Sequence, residues 1–280
     1  MLSWASFFIG KCQMEVLMIF PSLDRVKAIA PGYDIVPVYM EILSDVRTPI
    51  SVLKALKQVS SHTYLLESAD NSNHWGRYSF LGYDPKIELF CKNHKMTIKD
   101  GTTRTFECSD PAVEIRNILN QYKSPRLEEL PTFTGGFVGY FACEYIRYIE
   151  PTLDFPTPND DSAMVNDVDL MLFDKVIAFD HYKNKIYLIA NISTNDLERN
   201  YNKAELELKS LADLVVNGKE ANIPKGILKT EFTSEFTKDE FEAVVKKTQH
   251  YIKEGDIFQC VVSNRREAEF EGSLLNLSLI

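Results

Sequence analysis

Between Thr48 and Val59 the apolar residues Val52, Leu53, Leu56 and Val59 recur at helical spacing. Thr48-Pro49 in front of them supplies an N-cap and a proline at the first helical position, where its missing N–H costs nothing. The same code opens a second helix at Asp110-Pro111, whose stripe of Ile115, Ile118, Leu119 and Tyr122 faces away from polar neighbours. A more polar helix is predicted over Asp196–Val216, with Asn217-Gly218 as its stop. The clearest local code lies further on. Thr237 with Glu240 three residues later forms a capping box, and Phe236 and Phe241 form the hydrophobic staple across it. That helix carries Phe241, Val244, Val245, Thr248 and Ile252 on one face and ends at Gly255.

Strand patterns fill the space between. One is predicted at Thr63–Glu67, and a pair at Ile87–Cys91 and Thr103–Phe106 with Asp100-Gly101 as turn chemistry. Asp169–Phe179 and Lys185–Asn191, either side of the polar His181–Asn184, predict a long antiparallel hairpin. A last strand is predicted over Ile257–Glu269. Phe258, Cys260, Val262, Ala268 and Phe270 alternate there with Gln259, Ser263, Arg265 and Glu267. Such a strand can wall a polar pocket, and it fits a half-exposed antiparallel strand just as well. The resulting expectation is an α/β (α+β) fold of mixed, largely antiparallel sheets with flanking helices. Its domains are an unstructured extension over 1–17, an N-terminal domain over 18–218, a polar linker over 219–232 that contains Pro224, and a second domain opening at 233–280.

Composition narrows the class. The 280 residues are 45% hydrophobic and 25% charged, the balance of an ordinary globular protein of about two domains. A net charge of −9 without a Lys/Arg-rich run argues against nucleic acid and against an anionic membrane surface. The opening MLSWASFFIG is too short for a spanning helix and lacks the basic start of a secretory signal. Five scattered cysteines without a CxxC pair read as reduced thiols in a cytoplasmic protein, and no Cys/His cluster suggests zinc.

Three segments carry a family resemblance. Leu65-Leu66-Glu67-Ser68 precedes Gly76-Arg77-Tyr78-Ser79-Phe80-Leu81-Gly82; Gly135-Gly136-Phe137-Val138-Gly139-Tyr140-Phe141 continues to Glu144 and Tyr145; and Gly255-Asp256-Ile257-Phe258-Gln259-Cys260-Val261-Val262-Ser263 follows the capped helix. In order and spacing these resemble anthranilate synthase component I, a chorismate-utilising enzyme family. Phe20-Pro21-Ser22-Leu23 and Val36-Pro37-Val38-Tyr39 add to the likeness. The glycines at 135, 136 and 139 fit neither a dinucleotide loop nor a P-loop, and close backbone packing within a sheet explains them better.

The resemblance implies an N-terminal regulatory domain that holds a feedback tryptophan site and a later domain that binds chorismate and Mg²⁺. A glutamine amidotransferase partner subunit would supply ammonia, and the products would be anthranilate and pyruvate. Carried over position by position, Ser68, Glu67 and Leu66 match the inhibitory L-tryptophan pocket, and Arg77 and Tyr78 are candidates to complete it. A hydroxyl beside a carboxylate can accept from an ammonium group. Glu67-Ser68 can equally be the plain end of a strand.

Gln259 matches a position that is lysine in related water-using enzymes. A neutral amide is no general base, which favours ammonia as the nucleophile and places Gln259 on the active-site wall; a solvent-facing strand glutamine is the plainer account. The resemblance also implies metal ligands beyond residue 280, so the chain reads as a C-terminally truncated piece, inactive alone. Aminodeoxychorismate synthase component I and a non-catalytic tryptophan-binding module are the alternatives.

Overall fold

The computed structural model describes residues 18–67, 76–150, 152 and 165–276, so the expected 1–17 extension and Ser68 lie outside the described residues. The chain divides into two compact units, one through Ala221 and one from Asn222.

In chain order the first unit contains α1 (Leu23–Ile29), β1 (Ile35–Leu43), α2 (Pro49–Leu56), β2 (Thr63–Leu66), β3 (Tyr78–Tyr83), β4 (Ile87–Lys92), β5 (Lys95–Lys99), β6 (Thr103–Glu107) and α3 (Pro111–Leu119). After these come β7 (Gly136–Phe141), α4 (Ile146–Ile149), β8 (Val168–Phe173), β9 (Lys175–Asp180), β10 (Lys185–Ser193) and α5 (Leu197–Asn217). The strands form two five-stranded sheets, ordered β1-β10-β9-β3-β2 and β6-β5-β4-β8-β7, with antiparallel pairing throughout. The mixed α/β class with antiparallel sheets is therefore as expected.

The helices start where the caps predicted. The Thr48 side chain accepts from Ser51 N–H, Asp110 accepts from Ala112 N–H, and each is followed by its proline. α5 packs on β10 and β1, burying Tyr201, Ala204, Leu208, Leu211, Ala212 and Val215. α3 contributes Ile115 and Ile118 to a core with Leu89, Met96, Ile98, Leu170 and Leu172 from the second sheet. A separate cluster of Tyr39, Leu127, Leu130, Val176, Ala178, Tyr187 and Ile189 fills the opposite face of the first sheet from α5.

Two strand assignments change. The pair expected from Ile87–Cys91 and Thr103–Phe106 is three strands, because Lys95–Lys99 intervenes and pairs with both. Asn93 and His94, both with positive φ (49° and 60°), make the tight turn before it, a conformation tolerated by few non-glycine residues. The run Asp169–Phe179 is also not one strand. It breaks at Asp174, where the chain leaves the second sheet as β8 and enters the first as β9. Asn191 secures this corner: its side-chain amide donates to Asp174 O (3.1 Å) and Thr134 O (2.7 Å). Burial raises the Asp174 carboxyl above its ordinary range, with Lys175 and Lys86 opposing.

β7 needs its glycines. Gly139 sits at φ 156°, and a Cβ there would meet Asp169 O at 2.0 Å; at Gly135, φ 153°, it would meet the Asn191 amide at 2.6 Å. These glycines thus serve close backbone packing, as the sequence suggested.

The second unit contains β11 (Ile227–Leu228), β12 (Thr233–Ser234), α6 (Lys238–Glu254), β13 (Arg266–Glu267) and β14 (Phe270–Glu271), with β11 paired to β14 and β12 to β13. The capping box of α6 is complete, with Glu240 N–H donating to Thr237 Oγ1 and Thr237 N–H to the Glu240 carboxylate (2.8 Å). Gly255 closes the helix in the left-handed conformation, φ 84°. Of the strand expected over Ile257–Glu269 only β13, Arg266–Glu267, forms: between Gly255 and Arg266 the backbone is irregular. A strand exists only while a neighbour takes its N–H and C=O groups, and among the described residues no strand runs beside 257–264. Phe258 and Val261 are consequently open to solvent. No helix among the described residues is long and apolar enough to cross a membrane.

Candidate functional site

The hairpin of β2 and β3 sets the geometry around Glu67. Leu66 pairs with Phe80, so one step on Glu67 arrives beside Ser79, and on the other side of β3 Ser79 pairs with Phe179 of β9. The ladder runs one rung further, with His181 N–H donating to Arg77 O at 2.9 Å. Because side chains alternate along a strand and diagonal cross-strand neighbours share a face, Glu67, Ser79 and His181 converge. The Ser79 hydroxyl, 1% exposed, lies 3.3 Å from Glu67 Oε1 and 2.7 Å from His181 Nε2. Glu67 and His181 are themselves open to solvent, and the Phe179 ring stacks beneath the imidazole at 6.4 Å.

Arg77 is taken up elsewhere. Its guanidinium makes two hydrogen bonds to Asp180, Nε to Oδ1 at 3.1 Å and NH2 to Oδ2 at 2.7 Å, the fork geometry that suits a carboxylate. Asp180 is fully buried, and its Oδ1 also accepts the N–H groups of Tyr182 and Lys183. Burial alone would raise this carboxyl; the Arg77 bonds and the two backbone donors outweigh it and hold Asp180 below the usual carboxylate range. The guanidinium is sandwiched between the rings of Tyr78 (4.8 Å) and Tyr182 (5.6 Å). Tyr78 stacks on Phe80, on the face of β3 opposite to Ser79, and burial followed by the Asp180 charge raises its phenol.

Of the residues singled out in the sequence, the structure therefore places Glu67 in a polar cluster. Leu66 alternates to the other face and is exposed. Arg77 and Tyr78 form a second cluster around Asp180 rather than joining Glu67. Gln259 belongs to the second unit, exposed in its irregular stretch. Sequence reasoning missed Ser79, His181 and Asp180. Ser79 lay inside the GRYSFLG motif, two residues from Arg77, and strand alternation could have flagged it. His181 sat in an expected turn, and only the β3–β9 register brings it in.

Among the described residues no group of three or more His, Cys, Asp or Glu side chains is arranged to hold a metal ion, so these residues do not by themselves build the Mg²⁺ site that the resemblance implies.

A family model described as chorismate binding enzyme matches residues 62–279. The chain is 34% identical over 270 residues to anthranilate synthase component 1 of Acetivibrio thermocellus, which covers 93% of this chain and 54% of that protein. It is 33% identical over 264 residues to the Aquifex aeolicus (strain VF5) protein of the same name, covering 91% and 52%. Among solved structures, anthranilate synthase component I from Streptococcus pneumoniae TIGR4 superposes with a TM-score of 0.51 at 26% identity, covering 85% of this chain and 52% of that one. The chain spans about half the length of the curated relatives it matches. With the family model reaching over most of its residues and the sheets matching a solved relative, this chain belongs to the chorismate binding enzyme family.

Proposed function

We propose that this chain is part of the chorismate-aminating subunit of a cytoplasmic anthranilate synthase, a lyase that turns chorismate and ammonia into anthranilate, pyruvate and water. The observation that carries the reading is its likeness, along about nine-tenths of its length, to proteins named anthranilate synthase component 1. A second component, a glutamine amidotransferase, would deliver the ammonia, and Mg²⁺ when bound would offset the charge of the carboxylated substrate. Gln259 is assigned to the wall of the chorismate site. A neutral amide there leaves the attack to ammonia, which needs no base to become a nucleophile.

The first unit is read as the regulatory part, with Glu67 and Ser68 receiving L-tryptophan. Supporting this is the hydrogen bond from Ser79 to one oxygen of Glu67; its second oxygen has no hydrogen-bond partner among the described residues and could accept from the ammonium group of an amino acid. Arg77 and Tyr78 support the site from the neighbouring cluster, because Asp180 already engages the guanidinium.

Calorimetric titration of the chain with L-tryptophan tests the regulatory reading. Binding that is lost in Glu67→Gln is expected; undiminished binding by that variant would refute the site. The chain by itself, given chorismate, Mg²⁺ and ammonium, is expected to yield no anthranilate fluorescence, and a signal above the buffer control would overturn that part.

A further inference from the structure

A serine hydroxyl has one proton and two lone pairs, so Ser79 can donate to Glu67 or to His181 but not to both. If its proton goes to His181 Nε2, Glu67 loses its donor and turns freely. If His181 carries hydrogen on Nε2 and donates to Ser79 Oγ, the hydroxyl proton is left for Glu67. The second arrangement ends on a carboxylate and gains from the greater strength of charge-assisted hydrogen bonds. The 2.7 Å contact from His181 and the burial of Ser79 fit a directed relay rather than a rotating surface hydroxyl.

We propose that His181 and Ser79 are positioning residues for Glu67, a relay His181 Nε2–H to Ser79 O–H to Glu67 Oε1 that orients the carboxylate toward an amino-acid ammonium and makes ligand affinity depend on the charge of His181. The ligand part rests on the effector-site reading of Glu67. Neutral His181 with hydrogen on Nε2 provides the orientation without charge. Imidazolium provides the same donor but adds a positive charge beside the place of the ligand's ammonium. Binding therefore weakens as pH falls through the range in which histidine gains its proton. By reciprocity, bound ligand disfavours protonation of His181.

The other charged groups around the imidazole keep this assignment simple. Arg77 and Asp180 neutralise each other in their bidentate pair. The Lys183 ammonium lies 3.4 Å from the Tyr187 hydroxyl. Among the described residues this leaves Glu67 as the anion linked to the imidazole, through Ser79.

Two measurements on the 280-residue chain test the relay. By NMR, neutral His181 in the parent chain is expected to carry its hydrogen on Nε2 and to lose that preference in Ser79→Ala. Hydrogen on Nδ1 in the parent overturns the relay whether or not any ligand binds. By calorimetry with L-tryptophan between pH 5.5 and 8, the parent chain is expected to weaken about fivefold toward the acid end, at the low end for coupling between sites because the imidazole is exposed. His181→Gln, whose side-chain N–H can donate to Ser79, is expected to bind as the parent does at pH 8 and to lose the pH slope. His181→Ala and Ser79→Ala are expected to bind weakly throughout. A pH slope retained in His181→Gln overturns the proposal. No tryptophan binding by the parent at any pH, with the Nε2 hydrogen seen by NMR, would overturn instead the effector-site reading and with it the regulatory half of this inference.

Discussion

Helix α2 and helix α6 are both capped by a threonine, yet α2 buries Val52, Leu53, Ala55 and Leu56, whereas no residue of α6 is buried. The local code of α6 is the fuller of the two, with a reciprocal capping box and a left-handed glycine stop. Its intended face is even visible: Phe241, Val244, Val245 and Thr248 are half-buried while their neighbours are exposed. Caps and periodicity thus suffice to make a helix and to say which side is apolar, but not to bury that side. Burial needs a second layer, which α2 and α5 find on the first sheet and which none of the described residues from Asn222 onward supplies.

The contrast can be broken most sharply by core truncation. Leu188, fully buried between Met40 and Ile177 in the first sheet, is expected to cost about 2–5 kcal/mol when changed to alanine. Phe258→Ala in the second unit is expected to cost less than about 0.5 kcal/mol, as an exposed substitution does. Urea unfolding of both variants decides this, and equal losses would mean that the second unit has a core of its own.

Gly139→Ala forces a side chain into a left-handed backbone and against Asp169 O, and is expected to cost about 3 kcal/mol from strain and overpacking together. Gly255→Ala, also left-handed but with nothing within 4 Å, is expected to cost about 1 kcal/mol and only at the end of α6.

Asp180→Asn leaves the Arg77 guanidinium without its anion. Removing one partner of a buried pair costs about 3–5 kcal/mol, and since Arg77 is 33% exposed the lower end applies. The pH sign follows from the depressed carboxyl. The stability it contributes is present above the unfolded value near about 3.9 and is lost as pH falls through the lower folded value. The parent chain is therefore expected to lose more stability than Asp180→Asn between pH 5 and pH 2. Parallel acid titrations of the two, followed by circular dichroism, would show whether it does.

The smallest effect separates the two helices directly. Thr48→Ala and Thr237→Ala each remove a cap of about 1 kcal/mol. In α2 the loss should appear in global unfolding, because the helix is tied to the core. In α6 it should appear only as faster amide exchange near Lys238–Phe241, since a helix without buried contacts frays by itself.

Much of the first unit was readable from the chain. Thr48-Pro49, Asp110-Pro111, Thr237 with Glu240, and Gly255 are local signals, and each marked its helix boundary because capping is satisfied by neighbours a few residues away. Strand pairing was less legible. The Lys95–Lys99 strand was passed over because its alternation is short and lysine-flanked, and the Asp174 corner left no mark because what bends the chain there is Asn191, 17 residues away. The last segment shows the opposite error: its alternation reads as a long strand, and only Arg266–Glu267, which pair with Thr233–Ser234, form one.

The candidate site divides along the same line. Motif resemblance pointed to Glu67, and strand alternation suffices to separate Ser79 from Tyr78. That Ser79 would bridge to His181, and that Asp180 would claim Arg77, depended on the register between β3 and β9, whose partners lie about 100 residues apart. Sequence alone determined helices α2, α3, α5 and α6, their apolar faces and the family, since these rest on interactions among near neighbours or on motif order. The tertiary structure decided which polar side chains share a face and which apolar faces are covered, because both depend on contacts between residues that only folding brings together.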